Sequence, residues 1–229
     1  MCGRFVYAAQ SDENQLAFPQ VVFPNEIPLR YNIAPGQDIT AIANTAEPRA
    51  DTFKWGLIPS WAKDHKIGNR LINARGETLA EKPSFRTAFK RRRCLIPATG
   101  FYEWQRNSDG RTKTPMYIAL KPGAPFAFAG LWESWHSPEG QRIQSCTIIT
   151  TEPNALMAPI HNRMPVILPA DAYDLWLDPT ERTDLQDLLV PYSAQEMIAH
   201  PVSTLVNNPR NDTPDCLKPA QPPEQGALF

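Results

Sequence analysis

Cys2 stands directly behind the initiator, and that position gives it chemistry open to no internal cysteine. Methionine aminopeptidases act when the second side chain is small, and Cys2 qualifies, so the mature chain is expected to begin at Cys2. A free α-amine and a thiol then lie on adjacent carbons. Such a 1,2-aminothiol captures aldehydes: the amine condenses to an imine and the sulfur closes a five-membered thiazolidine. Ordinary values of about 7.7–8.0 for an α-amine and about 8.5 for a thiol leave both nucleophiles partly available near neutrality. The competing reading of Cys2 is a small hydrophobe ahead of an N-terminal strand.

Further segments place reactive or anion-binding groups where an ordinary core would not hold them. They are Cys2-Gly3-Arg4-Phe5, Asn73-Ala74-Arg75-Gly76-Glu77-Thr78, Gly100-Phe101-Tyr102-Glu103-Trp104 and His161-Asn162-Arg163-Met164-Pro165. Glu103 lies between aromatic neighbours, where desolvation would raise its pKa and let it shuttle protons; an exposed acid on an edge strand is the alternative. His161 offers an imidazole that can donate or accept a proton, and Asn73 offers amide donors and an acceptor, although either residue could be purely structural. The guanidinium forks of Arg4, Arg75, Arg86 and Arg163 match phosphate oxygens, with surface ion pairs as the competing use. Trp61 could stack on a nucleic-acid base or belong to the core. The run Lys90-Arg91-Arg92-Arg93 reads first as a solvated helix end and second as a DNA contact.

The elements that must position these groups are mostly strands. Short apolar or alternating runs cover residues 4–7, 38–44, 52–57, 93–97, 101–105, 115–120, 126–135 and 143–151, several of them separated by turn formers such as Asn107-Ser108-Asp109-Gly110. Helical pattern is expected over 83–90, 170–177, 183–189 and 193–200. Strands and helices do not alternate regularly. The fold class is therefore α+β: a single domain on a curved, mostly antiparallel, barrel-like sheet with short helices. From Asn207 the composition turns to Pro, Asn, Asp and Gln, which places a domain over residues 1–206 and a flexible tail over 207–229.

Composition narrows the function classes. A length of 229 residues suits one sizeable domain, and a formal net charge of −1 means any nucleic-acid footprint must be a local patch. The sequence shows neither a bilayer-spanning apolar run nor a signal-peptide core, so a cytoplasmic protein without a membrane partner is expected. The widely spaced Cys2, Cys94, Cys146 and Cys216 read as reduced thiols. His65, His136, His161 and His200 fall in no metal-ligand spacing, so neither a metal nor a cofactor is expected. Proline, with 24 residues, opposes long helices.

Taken in order, these motifs, together with Arg30-Tyr31-Asn32-Ile33-Ala34-Pro35-Gly36 and Trp55-Gly56-Leu57-Ile58-Pro59, resemble the SOS-response-associated-peptidase (SRAP) domain family from Cys2 to about Val206. The resemblance implies a monomeric sensor of abasic sites in single-stranded DNA. Such a sensor traps the ring-opened sugar aldehyde as a covalent thiazolidine crosslink through Cys2 and so shields the lesion during replication. It implies lyase-like chemistry in the DNA-damage response, with autopeptidase removal of the initiator left open. Glu103 would deprotonate the amine, His161 would serve the sugar ring oxygen, and Asn73 would orient amine and sugar. Asn32 and Pro35 would line the DNA channel beside Arg4, Trp61, Arg75, Arg86 and Arg163. Ala62 stands where family members carry a second tryptophan, which weakens stacking there. An N-terminal-nucleophile peptidase or amidohydrolase and a non-covalent single-strand binder remain the rival classes. The closing residues Gln225-Gly226-Ala227-Leu228-Phe229 resemble peptides that dock a replication sliding clamp.

Overall fold

Alternation of side chains along short strands decides the architecture. The computed structural model describes residues 2–121 and 123–220; the expected clamp-docking residues Gln225–Phe229 and the fate of Met1 lie outside them. The strands are β1 (Phe5–Tyr7), β2 (Arg30–Ile33), β3 (Asp38–Ala43), β4 (Ala50–Trp55), β5 (Asn73–Arg75), β6 (Arg93–Ala98), β7 (Gly100–Arg106), β8 (Lys113–Leu120), β9 (Phe126–His136), β10 (Arg142–Thr151), β11 (Met164–Pro165), β12 (Ile167–Leu168) and β13 (Met197–Pro201). Short helices α1 (Ser11–Ala17), α2 (Arg86–Arg91) and α3 (Tyr173–Leu177) accompany them.

One antiparallel sheet runs in the order β13-β8-β7-β1-β2. In the other, β10, β4, β3, β6 and β9 close into a ring because β9 pairs with both β6 and β10. β5 and β11 are added beside β10. The period of two sorts the side chains between layers. Phe5 and Tyr7 of β1 join Phe53, Trp55, Ile96 and Phe128 in the central core, whereas Val6 faces the other way, towards Tyr102, Val206 and Cys216. On β6, Cys94 and Ile96 enter the central core and Leu95 turns outward to the layer holding Phe89 and Trp176 of the helices. Phe5 meets Trp55 and Phe128 edge-on at centroid distances of 5.2 and 5.8 Å, which fixes β1 against the ring.

Gly56 has φ of +135°, and a Cβ there would lie 2.6 Å from the Gly68 carbonyl oxygen. Only glycine lets the chain leaving β4 approach the 3-10 turn His65–Arg70 so closely. That approach frames the loop carrying Trp61.

Several expectations are corrected. The helix anticipated over 193–200 is a brief turn followed by β13, whose residues 197–201 pair with Met116–Leu120 of β8. The open ladder of β8 outweighs the local pattern. Over 183–189 only the 3-10 turn Gln186–Leu188 forms. The tail expected from 207 is packed as far as Ala220: Cys216 is wholly buried, and Asp212 accepts from the backbone N–H groups of Tyr31 and Asn32 at 2.5 and 2.9 Å while pairing with Arg30.

Asn32, expected in a DNA channel, is fully buried. Its amide donates to the carbonyls of Val206, Asn208 and Asn211, and its oxygen accepts from Arg4. It is a fastener between β2 and the C-terminal segment. The basic run divides: Lys90 and Arg91 are exposed in the last turn of α2, as expected of a solvated helix end, whereas Arg93 is buried. Arg91 pairs with Glu181, Arg92 with Glu133, and the buried Arg93 guanidinium donates to the carbonyls of Phe89, Lys90, Trp176, Asp178 and Thr180. Arg93 thus caps the C-terminal ends of α2 and α3 together.

Candidate active site

Three strand pairings assemble the site. β1 lies against β7, with the Tyr102 N–H donating to the Arg4 carbonyl at 2.9 Å, so the residues before β1 run alongside Glu103. β5 joins β10 in parallel, Asn73 opposite Ile148 and Arg75 opposite Thr150. β11 flanks the end of β10, which brings the His161 loop to the same edge. Gln105 of β7 donates to the Pro159 carbonyl at 3.2 Å and ties that loop to the strand bearing Glu103.

Cys2 is completely buried, and its carbonyl accepts from Asn73 Nδ2 at 2.8 Å. Asn73 Oδ1 is also buried and has no hydrogen-bond partner among the described residues, which leaves an acceptor beside the Cys2 main chain. Burial, reinforced by the negative charge of Glu103, pushes the Cys2 thiol far above its ordinary value. The expectation of a partly ionised thiol near neutrality is corrected accordingly: in this environment sulfur keeps its proton until a base takes it. Glu103 is 4% exposed, and burial raises its carboxyl above the usual range, with the charge of His161 opposing the rise. Cys2, Asn73, Glu103 and His161 therefore form one connected group. A carboxyl whose proton is held more tightly by burial is the kind of group acid–base chemistry uses.

The arginines divide. Arg75 is exposed at the end of β5. Arg163, expected to grip phosphate, closes its fork on Glu77 instead, Nη1 to Oε1 at 2.5 Å and Nη2 to Oε2 at 2.9 Å. That fork holds the Glu77 carboxyl below its ordinary range. Arg4, also expected on DNA, spends Nη1 on Asn32 and the Val206 carbonyl and lies 5.6 Å from the Trp104 ring centre. Both are thus committed to protein partners rather than offered outward. Arg86 is exposed at the start of α2, and Pro35 is exposed on the turn between β2 and β3.

Trp61 is 59% exposed, so it is not a core residue. Its loop is nonetheless fixed: the Ile58 N–H donates to Ser145 Oγ at 2.8 Å, the Ser60 N–H to Glu133 at 3.2 Å, and Trp135 Nε1 to the Ala62 carbonyl at 2.7 Å. An outward indole on a pinned loop suits stacking on a flat partner. Pro35, Trp61 and Arg86 stand outside the hydrogen-bonded and ion-paired group around Cys2 among the described residues. Sequence reasoning passed over Glu77, Glu133 and Asp212. Glu77 lay within a quoted motif, but its partner Arg163 is 86 positions away, and no local spacing signals that pairing.

A buried Cys2 hydrogen-bonded to Asn73 and close to the raised Glu103 carboxyl, on two curved strand layers, gives an α+β protein with a candidate site at that cysteine. The chain belongs to the SOS response associated peptidase (SRAP) family, whose model matches residues 1–209. It is 50% identical over 223 residues to the abasic site processing protein YoqW of Bacillus subtilis (strain 168), covering 95% of this chain and 99% of that one. With the abasic site processing protein HMCES of Rattus norvegicus it shares 35% identity over 197 residues, 73% of this chain and 56% of the relative. A crystal structure of a protein from Bacteroides thetaiotaomicron superposes with a TM-score of 0.86 at 27% identity, covering 96% of this chain and all of that one.

Proposed function

We propose that this protein processes abasic sites in single-stranded DNA by trapping them covalently on Cys2. The observation that carries the reading is the grouping of Cys2 with Asn73, Glu103 and His161, and the names of the relatives agree with it. Once Met1 is removed, the Cys2 amine gives a proton to Glu103 and adds to the aldehyde carbon of the ring-opened sugar. His161 supplies the proton that the sugar ring oxygen needs on opening. The resulting carbinolamine takes a proton from Glu103, loses water, returns the nitrogen proton to Glu103 and becomes an imine. Sulfur then adds to the imine carbon, and the thiol proton passes through Glu103 to the nitrogen. Aldehyde and aminothiol thus yield a thiazolidine and one water. Asn73 Oδ1 is the acceptor that orients the amine, and the exposed Arg75, Arg86, Trp61 and Pro35 receive the strand.

Cys2→Ala should abolish the heat-stable product on a denaturing gel while leaving strand binding within about twofold, because binding rests on arginine and stacking contacts. Cys2→Ser should give at most an imine that borohydride traps. A heat-stable adduct from Cys2→Ala would remove the mechanism, and loss of all strand binding would remove the separation of roles.

A further inference from the structure

His161 is held by the residue two positions after it, and that residue is anchored in turn. The Arg163 backbone N–H donates to His161 Nδ1 at 3.0 Å, and the Arg163 carbonyl oxygen lies 3.2 Å from the same nitrogen. A neutral ring can satisfy only one of them: bare Nδ1 serves the N–H, whereas protonated Nδ1 serves the carbonyl. The N–H contact is the shorter, and an orphaned backbone N–H is rarer in proteins than an under-used carbonyl.

The main chain at Arg163 is not free to turn and exchange these partners. Its side chain grips both oxygens of Glu77, and Nη2 also donates to the Thr150 carbonyl at 2.6 Å. Thr150 lies opposite Arg75 of β5 and Pro165 of β11, so the guanidinium is fastened where three strands meet. Glu77 follows β5 in the 3-10 turn Gly76–Thr78, and Arg163 directly precedes β11. A lysine could not reproduce the grip, because it lacks the planar fork.

We propose that Glu77 and Arg163 are positioning residues that set the tautomer of His161, keeping Nδ1 as the acceptor and placing the proton of the neutral ring on Nε2. The ring then presents a donor, not a lone pair, at its far nitrogen. When the ring takes up a second proton at Nδ1, the Arg163 carbonyl is the acceptor at hand, so the same residue serves both states. The consequence for chemistry rests on the proposed role of His161 at the sugar ring oxygen: Nε2 is committed to donating there. Arg163 thereby acts through His161.

The test needs no DNA. The full chain is labelled with 15N-histidine, and long-range proton–nitrogen spectra are recorded at alkaline pH, where imidazoles are neutral; His161→Gln assigns the signal. The wild-type ring should show a pyridine-like Nδ1 and a pyrrole-like Nε2. Glu77→Gln and Arg163→Lys should each raise the Nδ1-protonated fraction several-fold, and Glu77→Asp, which keeps the charge, should recover part of the wild-type ratio. A wild-type ring protonated on Nδ1 would overturn the proposal, and this measurement needs no folded variant of Glu77 or Arg163. A folded Glu77→Gln chain with the wild-type tautomer ratio would also overturn it. A chain with the expected tautomer that fails to crosslink abasic DNA would uphold the positioning unit and count against the trapping function instead.

Discussion

Glu103 shows what a reactive group costs the molecule that keeps it. Its folded-state pKa is raised by burial, so the folded chain binds that proton more tightly than the unfolded chain does. Its contribution is fully present below the unfolded value and is lost as pH rises through the folded value. Glu103→Gln retains the shape without the charge. The variant should therefore gain thermal stability relative to wild type as pH climbs from the ordinary carboxylate range upward, while its crosslinking rate falls by about 10²–10⁴. Melting curves across that window decide the first part, and a stability gap that does not change with pH would contradict the origin assigned to the shift. The nearness of Cys2, Asn73, Glu103 and His161 was legible because their types agree with one chemistry and their motifs follow in a known order. The partner of Arg163 was not, since a guanidinium fork fits phosphate and carboxylate alike, and Glu77 reaches it from 86 positions away.

Among the elements, the segment from Ser203 to Ala220 behaves as a clasp over the outer face of the β1–β2 edge. Asn32 fastens it from within, with three carbonyls on one amide nitrogen. Asn32→Ala would remove the amide those carbonyls share, each keeping one other donor (Arg4 for Val206, the Asn211 N–H for Asn208, Cys216 for Asn211), and would leave Arg4 without a side-chain acceptor. A loss of about 1–3 kcal/mol is expected, read as a lower denaturant midpoint with little change in slope. An unchanged midpoint would show that water replaces the amide without penalty. Most of the strands could be read from the sequence because they are short apolar runs such as Phe5-Val6-Tyr7, buried on both faces, whereas β2, β5, β11 and β12 were too short or too polar to stand out. β13 could not, because Met197–Pro201 is a strand only by virtue of the β8 edge beside it. The clasp was hidden for a related reason: a segment rich in Pro and Asn has no periodicity, and its order comes from a neighbouring sheet that supplies its hydrogen-bond partners.

At the scale of the whole molecule, a formal net charge of −1 offers no general attraction to a polyanion. On the proposed function, strand binding depends on few cations, and with Arg4 and Arg163 bonded to protein groups Arg75 is expected to carry more of it. Arg75→Ala should weaken binding to single-stranded DNA at every sequence and lower the slope of log affinity against log salt by about 1. A fluorescence titration over a range of salt concentrations measures both. An unaltered slope would move the phosphate contacts to Arg86 or elsewhere. The charge balance was legible at once. The division of arginines into committed and available was not, because it depends on acidic and carbonyl partners that folding delivers.

The burial of Cys2 also has a clock attached. The bond from Arg4 to Val206 joins residues 202 positions apart, and β1 waits for β7 before it can pair. At synthesis rates of about 5–20 residues per second, roughly 10–40 s pass between the emergence of one end of that bond and the other. Throughout this interval the N-terminus is reachable by a trimming enzyme; after it, Cys2 is covered. Chains refolded with Met1 attached should resist added methionine aminopeptidase and stay inert towards abasic DNA, whereas the same chains trimmed while unfolded should become competent. Intact mass before and after treatment reads the result, and loss of Met1 from folded chains without added enzyme would establish self-processing instead. On the proposed function, a molecule that meets the trimming enzyme only on the ribosome has its ability to trap a lesion decided before its last residue has been added.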